Sequence, residues 1–285
     1  MPGTFSDSWK LTKTSFRLIG EDRALLVFPL VAGLSVLGVL ALLIVGEFFL
    51  FGSGVFSGPV EAAGVGLFLL AYLAMVFLSV YCTAALIGAA TLKLNGQQPS
   101  AADGWRIART RIRRLALWAL LSATVGLLIQ LISSRVRGIG GMAIGLVGGI
   151  AWSVVTYFMV PVLLYEELRP WPALKRSGSL FTSTFGKTLV SNLVLGLLLA
   201  AGIVVAVVLI IVSAVLFVGG SILLGFLALG FGVAVGILVA LLGATAEGVL
   251  RAALYRYATT GKIDPELLPA GYRTAGGAPP PLPSN

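Results

Sequence analysis

The 285 residues contain no histidine and only one cysteine, and both absences remove whole classes of chemistry. Without histidine there is no imidazole to work as a general base near neutral pH. A zinc site would have to be built from carboxylates alone, and an intramolecular disulfide has no second sulfur. Charge is scarce too. Asp, Glu, Lys and Arg together make up 11% of the chain, against about a quarter in a soluble domain. So little charge cannot cover a globule with polar surface. No acidic cluster, Ser/Lys pair or nucleotide-binding loop stands out, so no enzymatic activity, metal or cofactor is expected.

Apolar sequence takes the place of charge. Hydrophobic residues make up 58% of the chain and the mean hydropathy is +1.02. The bilayer is the solvent that suits such a composition. A membrane-spanning helix needs about 20 apolar residues. Six runs qualify: residues 24–50, 62–92, 115–132, 139–164, 188–218 and 221–255. The last two need a break between them, because residues 189–246 carry no charge and are too long for one crossing. Gly219–Gly220–Ser221 is the expected turn, since paired glycines reach backbone angles closed to other residues. Gly141, Gly145 and Gly149 recur at four-residue spacing, which permits close helix contact. The fold class predicted is all-α: a polytopic bundle of six transmembrane helices arranged as three hairpins. Residues 1–261 read as one membrane domain. Residues 262–285, rich in Pro and Gly, read as a disordered cytoplasmic tail.

The net charge of +9 is distributed unevenly. In the six-span scheme only Arg135 and Arg137 lie on one side; the other Lys and Arg residues lie opposite. The positive-inside rule then predicts a multi-pass protein of the cell (plasma) membrane with both termini cytoplasmic. Its first span is expected to act as an uncleaved signal. Basic residues clustered beside apolar runs point to anionic phospholipid headgroups and not to nucleic acid.

A repeat underlies the clusters. Trp9-Lys10-Leu11-Thr12-Lys13-Thr14 aligns with Trp105-Arg106-Ile107-Ala108-Arg109-Thr110 at a shift of 96 positions, and Arg17 then meets Arg113. On a helix, Phe5, Trp9, Thr12 and Phe16 share one face while Lys10, Lys13 and Arg17 share another. Trp105, Ala108, Ile112 and Leu115 repeat the first face; Arg106, Arg109 and Arg113 repeat the second. Such segments read as interfacial amphipathic helices, with the aromatic face at the headgroup boundary. A third, Trp171–Lys187, shows a stripe of Trp171, Leu174, Phe181 and Phe185 beside Lys175 and Arg176. Each hairpin would thus be introduced by a cytoplasmic amphipathic helix.

Three stretches carry a family resemblance: SWKLTKTSFRLIGEDRALLVFPL (8–30), TYFMVPVLLYEELRPWPALKRSGSLF (156–181) and RAALYRYATTG (251–261). They resemble a family of prokaryotic integral membrane proteins known only as a domain of unknown function. The second and third are also similar to a broader group that includes the membrane domain attached to some glycerophosphodiester phosphodiesterases. The resemblance implies a fold and a location, without that activity, since the catalytic domain is separate. It singles out Pro161, Glu166, Ala173, Leu174, Lys175, Arg176 and Ser177. These are expected either to bind a lipid headgroup or partner, or to form an elbow held by local ion pairs. Glu247 and Arg251, at i and i+4, suit an intrahelical ion pair.

The expected role is a non-enzymatic membrane module that engages anionic lipid or partner proteins. Its candidate contacts are Trp9, Lys10, Lys13, Arg17, Trp105, Arg106, Arg109, Arg113, Lys175 and Arg176. A homo-oligomer or another membrane protein is the alternative partner. The alternative function is a transporter or channel for a lipid-like or apolar substrate.

Overall fold

The computed structural model describes residues 23–52, 59–136 and 138–260. A 3-10 turn, Arg23–Leu26, leads into α1 (Val27–Gly52), α2 (Pro59–Leu94), α3 (Ala101–Thr110) and α4 (Ile112–Arg135). Then come α5 (Ile139–Thr156), α6 (Met159–Tyr165), α7 (Pro170–Val218) and α8 (Ile222–Thr260). No strand occurs among the described residues. Six stretches are long and apolar enough to cross a membrane: Ala24–Gly46, Gly64–Leu94, Ile112–Arg135, Gly140–Tyr165, Asn192–Val218 and Ile222–Thr260. The protein is an all-helical, multi-pass membrane protein. The first amphipathic segment, with Trp9, Lys10, Lys13 and Arg17, and the tail at 262–285 lie outside the described residues.

The chain divides into two compact units, Val27–Ser183 and Met1–Leu26 with Thr184–Asn285. In the second, the turn falls where the glycines allow it. Gly220 has φ +79, its N–H bonds to Phe217 O at 3.1 Å, and Ser221 N–H bonds to Leu216 O at 2.9 Å. This pair of bonds is the Schellman ending of a helix, which needs a left-handed residue. Phe217 and Phe226 close it edge to face, 5.0 Å between centroids. From there α7 and α8 run antiparallel: Gly225 faces Phe217, Gly232 faces Leu209, Gly202 faces Val239 and Gly243 faces Leu199. Small residues at such seams let backbones approach in lipid, where packing must replace the hydrophobic effect.

The first unit buries its helices unevenly. Along α2, Val65, Phe68 and Leu70 are exposed, as lipid-facing residues should be. From Cys82 onward Ala84, Ala85, Leu86, Ile87, Ala89, Ala90 and Leu94 are buried, and α3, α4 and α6 pack on α2. The densely packed end is therefore the charged end.

One expectation needs correction. The third amphipathic segment is not a separate helix: α7 runs without interruption from Pro170 to Val218. Pro170 and Pro172 sit in its first turn, where a missing N–H costs nothing, and no proline follows until Pro265. Its stripe divides. Trp171 is 63% exposed, as an interfacial aromatic should be, whereas Phe181 is buried with Ala173, Ser177, Leu180 and Thr184.

The fourth span is broken one turn ahead of Pro161. Proline has no N–H to give the carbonyl four residues back, here Tyr157, and its ring would clash with it. Helix α5 ends at Thr156, and Pro161 becomes the third residue of α6, whose first N–H groups need no helical partner.

Candidate functional site

The charged end of the first unit brings together four segments far apart in sequence. Helix α3 begins at a capping box. The Ser100 hydroxyl accepts from Asp103 N–H at 3.3 Å, and Asp103 Oδ2 accepts from Ser100 N–H at 3.0 Å and from its hydroxyl at 2.7 Å. Arg106 donates to Asp103 Oδ1 at 2.7 Å. The Ser100 hydroxyl and N–H, and then the Arg106 charge, hold the Asp103 carboxyl below its ordinary range. A lowered folded value means that the cap's contribution is full above the unfolded value, about pH 4, and is lost as pH falls through the folded one. The difference in thermal midpoint between the native protein and Asp103→Asn is therefore constant above about pH 4 and narrows below it. A difference unchanged at about pH 3 contradicts the assignment.

Trp105 is not directed at lipid. Its ring lies 5.2 Å from Phe28 and 5.4 Å from Tyr81, half-buried between α1 and α2. Ile107 packs over Gly88, and Gly104 is so close to Ala85 O that an added Cβ would stand 2.6 Å from it. Thus α3 docks its apolar face on protein. Arg106 and Arg109 point outward and are exposed, as is Arg113 in the first turn of α4.

The elbow between α6 and α7 faces this junction. Arg111, which ends α3 and precedes α4, donates to Glu167 Oε1 at 3.1 Å across 56 positions of sequence. Arg114 Nη1 donates to Glu166 O at 3.3 Å. Arg176 Nε donates to both Glu166 carboxylate oxygens, 3.2 Å each. Tyr165 hydrogen-bonds to Thr91 of α2. Ser177 is wholly buried, and its hydroxyl oxygen accepts from Phe158 N–H at 3.0 Å. That N–H is one the break in the fourth span has freed, and a helix in lipid leaves such a group open only where a neighbour closes it. Ser177 and Pro161 are two halves of one local structure.

Of the residues expected here, Glu166, Arg176, Ser177 and Pro161 form the elbow, while Lys175 is exposed beside it. Arg111 and Arg114 escape a reading of the sequence, although their charges at a helix boundary are visible there. Ser100-x-x-Asp103, a legible capping signal, escapes it as well. In the second unit, Arg251 pairs with Glu247 as the i, i+4 spacing predicts. Among the described residues no group of three or more Cys, Asp or Glu could hold a metal.

The three carboxylates at this end each have a cationic partner: Asp103 with Arg106, Glu166 with Arg176, Glu167 with Arg111. The remaining cations are a surplus, and Arg109, Arg113, Arg169 and Lys175 hold theirs exposed. Such an end can attract phosphate. Residues 62–264 match the family of unknown function (DUF6159). No curated protein and no solved structure matches, so the wider likeness to phosphodiesterase-linked membrane domains is not shown.

Proposed function

The chain belongs to DUF6159, a family of unknown function, and from that premise we propose that it is a non-enzymatic membrane module engaging anionic phospholipid through its basic helix end. The observation that supports this is the exposed surplus of Arg109, Arg113, Arg169 and Lys175 around an elbow whose carboxylates are already paired. Each basic residue near an anionic surface contributes about 1 kcal/mol. Trp171, exposed at the start of α7, is the type of side chain that anchors at the headgroup level. The charge pattern of the whole chain supports a cytoplasmic position for this end, at the cell membrane.

The test uses the full chain in nanodiscs of mixed phosphatidylcholine and phosphatidylglycerol, with retained lipid counted by native mass spectrometry. The native protein retains the anionic lipid preferentially. Replacing Arg109, Arg113, Arg169 and Lys175 together by Gln lowers that preference at least tenfold, well within four such contributions. An unchanged preference rejects the lipid reading and leaves a partner protein as the occupant.

One observation favours a second reading, a transporter of lipid-like substrate: broken helices form the binding sites of many transporters. Here, however, the N–H freed at the break is bonded to Ser177. Phospholipid scrambling by the protein in liposomes would revive that reading.

A further inference from the structure

The hydropathy of α2 runs unbroken to Leu94, yet its last third is covered by protein. Where the bilayer ends on this helix can be read from its neighbours. Between Arg114 and Arg135, α4 carries twenty uncharged residues, 115–134. At 1.5 Å per residue they span about 30 Å, the thickness of a hydrocarbon core. This helix therefore serves as a depth gauge for the first unit.

Two contacts transfer the scale. The Tyr72 hydroxyl lies 3.0 Å from where a Cβ on Gly126 would stand, so the middle of α2 is level with the middle of α4. Ile107 packs on Gly88, and α4 begins five residues after Ile107. Counting from Tyr72, the level of Leu115 meets α2 near Thr83. Burial changes at that point, from exposed Leu70 to buried Cys82 and the alanines beyond it. Eleven residues of α2 remain, about 16 Å of helix beyond the hydrocarbon. The headgroup layer is only about 5–7 Å deep on each side.

We infer that this end of the first unit is a protein-packed cap standing outside the hydrocarbon, and that Arg113 at its base takes the phosphate of a phospholipid. Arg113 lies two residues beyond the Leu115 level, about 3 Å out, which is phosphate depth. Helix α3, with Gly104 against Ala85 and Ile107 against Gly88, packs on the exterior part of α2. It holds Arg106 and Arg109 near the Gly88 level, about 7.5 Å out, toward water. The apolar residues 84–94 need no lipid because α3, α4 and α6 cover them. The choice of Arg113 over Arg109 rests on the lipid reading above; the cap itself does not.

Two measurements on the full chain keep these apart. Nitroxides are placed singly at Leu70, Ile132, Ala102 and Arg109, all exposed, in a Cys82→Ala background. In liposomes, oxygen quenches Leu70 and Ile132 more than a water-soluble nickel chelate does, and Ala102 and Arg109 show the reverse. An oxygen-dominated Ala102 with an aqueous Ile132 overturns the cap. In the nanodisc assay, Arg113→Gln lowers retention of phosphatidylglycerol about fivefold, as expected for one residue at an anionic surface, and Arg109→Gln less than twofold. Excess inorganic phosphate leaves the retention unchanged. Equal losses from both variants overturn the depth assignment, and displacement by phosphate overturns the lipid as occupant. If neither variant loses lipid while the nitroxides report the expected depths, the lipid reading fails and the cap stands.

Discussion

Gly104→Ala destabilises the protein by about 1–3 kcal/mol, although alanine is the better helix former. Propensity alone would reward the change by up to about 1 kcal/mol. At this position the new methyl stands 2.6 Å from Ala85 O and 2.6 Å from the Phe28 ring. The first neighbour is backbone and cannot turn aside, and Phe28 is fully buried. Either α3 lifts from α2 or α2 bends, and both disturb the stacking of Trp105. Gly149→Ala is the control: nothing lies within 4 Å of that Cβ, so the change is neutral or stabilising. Cys82 supplies the readout. It is the only thiol, 3% exposed, and lies in the packed end, so a thiol-reactive fluorophore reports unfolding of that region during heating. A midpoint for Gly104→Ala equal to or above that of the native protein would show that α3 is not held by close packing on α2.

Ser177→Ala carries the second large effect. Alanine adds no bulk and cannot accept from Phe158 N–H, and an unpaired buried donor costs about 1–3 kcal/mol. The loss should depend on Pro161. In Pro161→Ala the helix regains the N–H that Tyr157 O lacks, so the fourth span can run through and Phe158 N–H can return to Val154 O. Ser177→Ala is then cheaper in the Pro161→Ala background than in the native one. A double-mutant cycle measured by Cys82 exposure should give a coupling of about 0.5–3 kcal/mol, the range for residues in one network. Strict additivity would separate the break from its acceptor.

The elements that hydropathy can reveal are legible in the sequence, and their partners are not. Length and apolar content identify six spans, and Gly219–Gly220 locates a turn that the positive φ of Gly220 bears out. The fourth span is one apolar run in which Pro161 signals a kink or an end, and the structure places the break a turn upstream, at Tyr157 and Phe158. The stripe of α3 is recognisable, yet an apolar face reads the same whether lipid or protein covers it. Trp105 accordingly faces Phe28 and Tyr81, where an interfacial position is expected. On α7 the stripe divides for the same reason: Trp171 stays outside, while Phe181 is buried with Ala173 and Ser177. The Gly141, Gly145 and Gly149 seam shifts for a related reason. Gly145 and Gly148 face Ser133 and Ile129, while Gly149 faces open space, and four-residue spacing cannot distinguish neighbouring rows. Ion pairs such as Arg111–Glu167 join segments 56 positions apart, and nothing local encodes that closure.

The docking of α3 on the end of α2, and of the start of α7 beside α6, has a consequence for synthesis. These two segments cover helices made before them, so this part of the chain completes its folding one step behind the ribosome. A nascent chain that has emerged only as far as Ser100 carries Ala84–Leu94, apolar but for Lys93, with α3 not yet free to shield it. Arrest at that length leaves the first hairpin inserted but open, a state for an insertase or chaperone to hold until the next ten residues emerge.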